Sequence, residues 1–143
     1  MRVLVTGSGG FLGQAVCRAL RGRDDEVVGL SRNPYPALDA IGVSQCIGDV
    51  SSLDTMLEAS RDCDAVMHLA AKAGAWGSLR DYYDTNVTGT DNAIAACAMN
   101  EVPRLVYAST PSVVHAGGAY DAPCRAASTN TANWSRLVAT PGQ

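Results

Sequence analysis

A short apolar run, RVLVT (Arg2 to Thr6), passes directly into TGSGGFLG (Thr6 to Gly13), and nothing else in the 143-residue sequence restricts the fold as much. The run is β-branched and bounded by glycine, which reads as a strand buried on both faces. Beyond the glycines, Leu12, Ala15, Val16, Ala19 and Leu20 recur at helical spacing and predict one apolar helix face. Strand, glycine-rich turn and amphipathic helix, in that order, open a βαβ unit.

The rest of the chain continues the alternation. EVVGL (Glu26 to Leu30), SQCIG (Ser44 to Gly48), DAVMHLA (Asp64 to Ala70) and RLVYAS (Arg104 to Ser109) read as further strands. Leu53 to Ser60 and Thr85 to Asn100 read as helices, the second with Val87, Thr90, Ile94, Cys97 and Ala98 along one stripe. Ser52 is placed to cap the first of these, its hydroxyl accepting from an N–H of the opening turn. Such alternation predicts an α/β fold: a Rossmann-type, doubly wound parallel sheet covered on both faces, truncated after about five strands. After His115 neither period survives, so the folded domain is expected over residues 1–118 and an irregular tail over 119–143. The abrupt loss of pattern suggests a truncation or a change of reading frame.

Composition narrows the function classes. Hydrophobic residues make up 47% and charged residues 17%, which suits one folded domain rather than a disordered chain. Net charge is −3 and the basic residues form no run or stripe, so nucleic acid is not an expected partner. No apolar stretch reaches the roughly 18 residues of a membrane span. Cys17, Cys46, Cys63, Cys97 and Cys124 stand singly, with neither a CxxC pair nor clustered histidines, so no metal site is expected. An odd, scattered set of cysteines fits a reducing, cytoplasmic setting.

Gly7, Gly10 and Gly13 fall three residues apart between strand and helix, and the cradle they form includes Phe11 and Leu12 at the helix start. A dinucleotide requires this turn because its pyrophosphate must approach backbone N–H groups where a side chain would stand in the way. Gly7 allows the tight turn, Gly10 the close approach and Gly13 the packing of helix on sheet. An acidic residue about 20 positions on would hold a ribose 2′-OH, whereas an arginine would favour a 2′-phosphate. Here the second strand ends in GLSRN, with Ser31 able to donate a hydrogen bond and Arg32 able to form a bidentate fork. NADP(H) is therefore favoured over NAD(H), with a solvated loop arginine as the plainer reading of Arg32.

Five segments agree in order and spacing with one family: TGSGGFLG, GDVSS at Gly48, HLAAKAG at His68, TNVTGTDN at Thr85 and LVYASTPSVV at Leu105. Over residues 1 to about 118 the chain resembles the extended short-chain dehydrogenase/reductases, the NAD(P)-dependent epimerase/dehydratase group. STPSVV and HLAAKAG look most like its 3β-hydroxysteroid dehydrogenase-like branch, which includes sterol dehydrogenases and bacterial 2-alkyl-3-oxoalkanoate reductases. The resemblance implies that Asp49 and Val50 lie beside the adenine, and that Ala70, Ala71 and Lys72 line the cofactor. Asn86 would bond across to the end of the fourth strand, or else simply start its helix. Homodimerisation is common in the family, and a sheet ending at its fifth strand would also leave an edge open to pairing.

Hydride transfer at a carbonyl requires a proton donor or acceptor and a second hydrogen bond to the oxygen. In this family a Ser or Thr after the fifth strand supplies the second bond, and Thr110 matches that position. The proton is exchanged by the Tyr of a YxxxK pair, whose Lys lowers the tyrosine pKa from near 10. The sequence contains no YxxxK: its one lysine is Lys72, and Cys124 stands four residues after Tyr120. The resemblance thus implies an oxidoreductase acting on a hydroxy or oxo group of a sterol-like or alkyl β-keto substrate. On that resemblance the chain is expected to carry the cofactor half of such an enzyme, without the C-terminal substrate lobe. The competing readings are a non-catalytic dinucleotide-binding module and an inactive fragment.

Overall fold

The computed structural model describes residues 1–74 and 76–109. Among the described residues five strands form one parallel sheet: β1 (Arg2–Thr6), β2 (Glu26–Ser31), β3 (Ser44–Ile47), β4 (Ala65–His68) and β5 (Leu105–Tyr107). Their spatial order is β3-β2-β1-β4-β5. The chain winds outward from β1 to β3, returns to the other side of β1, and winds outward again. Connections leaving β1 and β4 therefore diverge, and a crevice opens between them at the carboxyl ends of the strands.

Both faces of the central strands are covered, which is why β1, β2 and β4 are almost continuously apolar, whereas the edge strand β3 is not. Val3 and Val5 point to one face, where they pack with Cys17, Leu20, Leu38 and Val43. Leu4, Val28, Leu30 and Val66 point to the other, against Met56, Ala59, Ala93, Ala96 and Cys97. The first layer is supplied by helix α1 (Phe11–Arg21) and the short α2 (Pro36–Asp39). Helix α3 (Leu53–Ala59) and the long helical segment before β5 supply the second. The Thr55 N–H donates to Ser52 Oγ (3.3 Å), the cap that the sequence predicts. No helix among the described residues is long and apolar enough to cross a membrane.

Two helices depart from expectation. In α1 the buried side is Gly13, Cys17 and Leu20, with Val16 half-buried, whereas Leu12 is 52% exposed and Ala15 and Ala19 face outward. The helix is turned toward its glycine because Gly13 sits directly on the Gly7 carbonyl, where a Cβ would overlap it. The helix expected from Thr85 begins earlier, as α4 (Leu79–Tyr83), closed by a capping box between Ser78 and Asp81. A π-helical turn over Asp84–Thr88 follows, and α5 (Gly89–Met99) continues it. The wider turn shifts the phase of the face, so Gly89, Ala93, Ala96 and Cys97 are buried while Val87 and Ala98 are exposed. Residues from Thr110 onward, with the expected boundary at 118 and the tail 119–143, lie outside the described residues.

Candidate dinucleotide-binding site

The crevice at the switch in strand order is a cleft of about 260 Å³. Its floor is the turn after β1. Gly7 has φ +67°, a left-handed conformation suited to glycine, and a Cβ there would come within 2.9 Å of the Ala70 backbone. Gly10 is exposed to the cleft, and the N–H groups of Phe11, Leu12 and Gly13 open the first turn of α1, where a helix leaves donors without intrahelical partners. A cradle that side chains would fill, next to the N-terminus of an eleven-residue helix, fits a pyrophosphate.

Eight of the expected residues line this cleft: Gly7, Gly10, Ser31, Arg32, Asp49, Val50, Ala70 and Ala71. Gly13 lies behind it as a packing residue. Phe11 is 96% exposed at the mouth of the helix, and Leu12 is beside it. Lys72 turns away, its ammonium 3.7 Å from Asp81 Oδ2 and 5.3 Å above the Tyr82 ring. Hydrogen bonds from Ser78, with Lys72 adding to them, hold the Asp81 carboxyl below its usual range. Thr110 is outside the described residues.

At the end of β2, Arg32 is exposed and Ser31 Oγ donates to the Asn33 carbonyl (2.8 Å). The hydroxyl proton expected for a phosphate is thus engaged in the local turn, which leaves Arg32 as the cationic group on this rim. Asp49 uses one carboxylate oxygen to accept from the Ser51 N–H (2.9 Å), fixing its turn at the side of the cleft lined by residues 48–50.

Sequence reading missed Tyr35 and Thr85 in the lining. Tyr35 lies in a loop without periodicity, yet its ring packs so closely on the glycine turn that a Cβ at Gly9 would overlap it. Gln45 holds the Tyr35 backbone from both sides, accepting from its N–H (2.8 Å) and donating to its carbonyl (3.1 Å). Thr85 reaches the cleft through the π-helical turn, which has no simple sequence signature.

The wall formed by residues 69–72 is pinned at both ends. Leu69 and Ala70 donate their N–H groups to Thr6 Oγ1 (3.1 and 3.2 Å). Asn86 accepts from the Lys72 N–H (2.8 Å) and donates to the Lys72 carbonyl (3.0 Å), the cross-link expected of it, made to the loop beyond the strand end.

Against this geometry, a sequence profile of the NAD dependent epimerase/dehydratase family matches residues 3–135. The chain is 53% identical over 115 residues to a 2-alkyl-3-oxoalkanoate reductase of Stenotrophomonas maltophilia, covering 80% of this chain and 35% of that protein. It is 32% identical over 123 residues to a 3-beta-hydroxysteroid dehydrogenase of Mycolicibacterium neoaurum, covering 81% of this chain and 34% of that protein. Among solved structures, a short-chain dehydrogenase/reductase superfamily protein from Agrobacterium tumefaciens with bound NAD superposes with a TM-score of 0.70 at 32% identity. That match covers 79% of this chain and 34% of the other. The chain thus spans about a third of the length of the curated relatives it matches.

Proposed function

The chain belongs to the NAD dependent epimerase/dehydratase family, and from that premise we propose that it is the cofactor-binding part of an NADP(H)-preferring reductase of 2-alkyl-3-oxo acyl compounds. The observation that carries the reading is the cleft between the glycine turn and the 69–72 wall, with Arg32 on its outer rim. The higher identity to an oxoalkanoate reductase than to a sterol dehydrogenase supports the acyl over the steroid substrate.

In this reading the N–H groups that open α1 bind the pyrophosphate, and Gly10, which has no side chain, lets it approach them. Asp49 and Val50 flank the adenine, and Arg32 pairs with a 2′-phosphate. Ala70 and Ala71 let the cofactor pass close to the wall. When bound, such a cofactor supplies or accepts hydride. Thr110, from the strand-end motif STPSVV, would hydrogen-bond the substrate oxygen.

The test is a thermal melt with NADPH and, separately, NADH. A ligand at 100 times its dissociation constant stabilises the folded chain by roughly 2.7 kcal/mol. We expect a clear rise with NADPH and a smaller one with NADH at equal concentration. Arg32→Ala should weaken NADPH by about tenfold or more, the value of a charge-assisted bond, and leave NADH within about twofold. Equal shifts for both cofactors, unchanged by Arg32→Ala, would refute the NADP(H) preference. No shift with either would refute the cofactor reading.

A further inference from the structure

The cleft has a support that its lining residues do not reveal. His68, at the end of β4, is 1% exposed and stands between the two clamps on the 69–72 wall. Its Nδ1 is 2.8 Å from Thr6 Oγ1, and its Nε2 is 3.4 Å from Thr90 Oγ1.

Counting protons fixes the direction of every bond in this row. A threonine hydroxyl has one proton and two lone pairs. Thr6 Oγ1 spends both lone pairs on the N–H groups of Leu69 and Ala70, so its proton points to His68 Nδ1. Nδ1 is therefore an acceptor, and a neutral ring must carry its proton on Nε2, facing Thr90. Thr90 gives its own proton to the Asn86 carbonyl (2.8 Å) and keeps a lone pair for His68. Asn86 in turn holds Lys72. The Tyr107 ring, stacked on the imidazole at 5.8 Å between centroids, fixes the ring plane.

We infer that His68, as the neutral Nε2–H tautomer, is a positioning residue for the cofactor: it joins the Thr6 clamp to the Thr90–Asn86 clamp and so sets the distance of the 69–72 wall from the glycine turn. That distance has little tolerance, since Gly7 already lies against the Ala70 backbone. This inference rests on the cofactor reading above, but its first test does not. Burial lowers the His68 pKa to about 4, in keeping with a ring whose two nitrogens already have one donor and one acceptor to face.

The test has two arms on the full chain. Nitrogen-15 spectra of the cofactor-free protein at neutral pH should show an unprotonated Nδ1 and a protonated Nε2. The reverse tautomer, or an imidazolium, overturns the inference whether or not any dinucleotide binds. In the second arm, calorimetric titration with NADPH should give a dissociation constant about tenfold higher for His68→Phe, with faster amide exchange at Leu69, Ala70 and Lys72. His68→Asn, which offers an acceptor near the Nδ1 position, should recover part of the affinity. Thr90→Val removes only the Nε2 partner and should weaken NADPH by a few-fold. It serves if His68→Phe does not fold. Wild-type affinity in folded His68→Phe, or in Thr90→Val with unchanged loop exchange, overturns the inference. Wild-type protein that shows the expected tautomer yet binds no dinucleotide refutes the cofactor reading and, with it, the cofactor role of His68.

Discussion

A buried imidazole that must stay neutral leaves a trace in the pH dependence of stability. His68 titrates at about 4 in the folded chain against an ordinary 6.5. Between those values the unfolded chain binds the extra proton and the folded chain does not, so stability falls as pH drops through the window and is complete above 6.5. At about 1.36 kcal/mol per unit, the loss by pH 5 is about 2 kcal/mol. Urea unfolding at pH 7, 6 and 5 should show this decline in the wild type. In His68→Phe the decline over the same range should be much shallower, because carboxylates titrate mainly below it. Equal slopes in the two proteins would mean that His68 is not held neutral. The sequence displays this histidine inside HLAAKAG but offers no sign of its role. Its partners Thr6 and Thr90 are 62 and 22 residues away, and only the fold brings them together.

At the level of elements, the order of apolar runs is enough to read all five strands and their parallel arrangement, most plainly for β1, β2 and β4, which are buried on both faces, and less so for the partly exposed edge strands β3 and β5. Helix faces were less legible. In α1 the periodic alanines and leucine suggested one face, but the helix is seated by Gly13, whose missing side chain is what allows contact with the Gly7 carbonyl. Small residues likewise seat α5, where a Cβ at Gly89 would come within 2.6 Å of Val50 Cγ2. A pattern search that looks for large apolar residues passes over such positions. The consequence is measurable. By helix propensity alone, Gly13→Ala should stabilise by about 1 kcal/mol. With the Gly7 carbonyl in the way, overpacking of about 1–3 kcal/mol should dominate and the midpoint of urea unfolding should fall. Because α1 would be pushed off the cradle, NADPH affinity should fall as well. A higher midpoint would show that the helix shifts without cost.

Taken as a whole molecule, the described chain assembles a cleft for binding more completely than a site for proton transfer. The cleft is lined by the glycine turn, small and apolar side chains, the Tyr35 ring, the Asp49 carboxylate and Arg32 on the rim, a set that suits recognition of a dinucleotide. A carbonyl reduction also needs an acid matched to the working pH, and a tyrosine reaches that range only beside a cation. The sequence has a single lysine, Lys72, which pairs with Asp81 and lies over Tyr82, and neither Lys72 nor Tyr82 lines the cleft. Buried thiols offer no substitute: burial raises Cys17 and Cys97 to about 11, well away from a useful acid. The chain should therefore bind NADPH while reducing a 2-alkyl-3-oxo acyl substrate at least about 10²- to 10⁴-fold more slowly than the relative, the usual cost of lacking a matched general acid alone. Following NADPH oxidation by absorbance, with the relative from Stenotrophomonas maltophilia as reference, separates the two properties. Binding without turnover would place the proton-transfer group beyond these residues. Turnover at the relative's rate would require an acid outside the YxxxK pattern, with Tyr120 and His115 the first residues to replace.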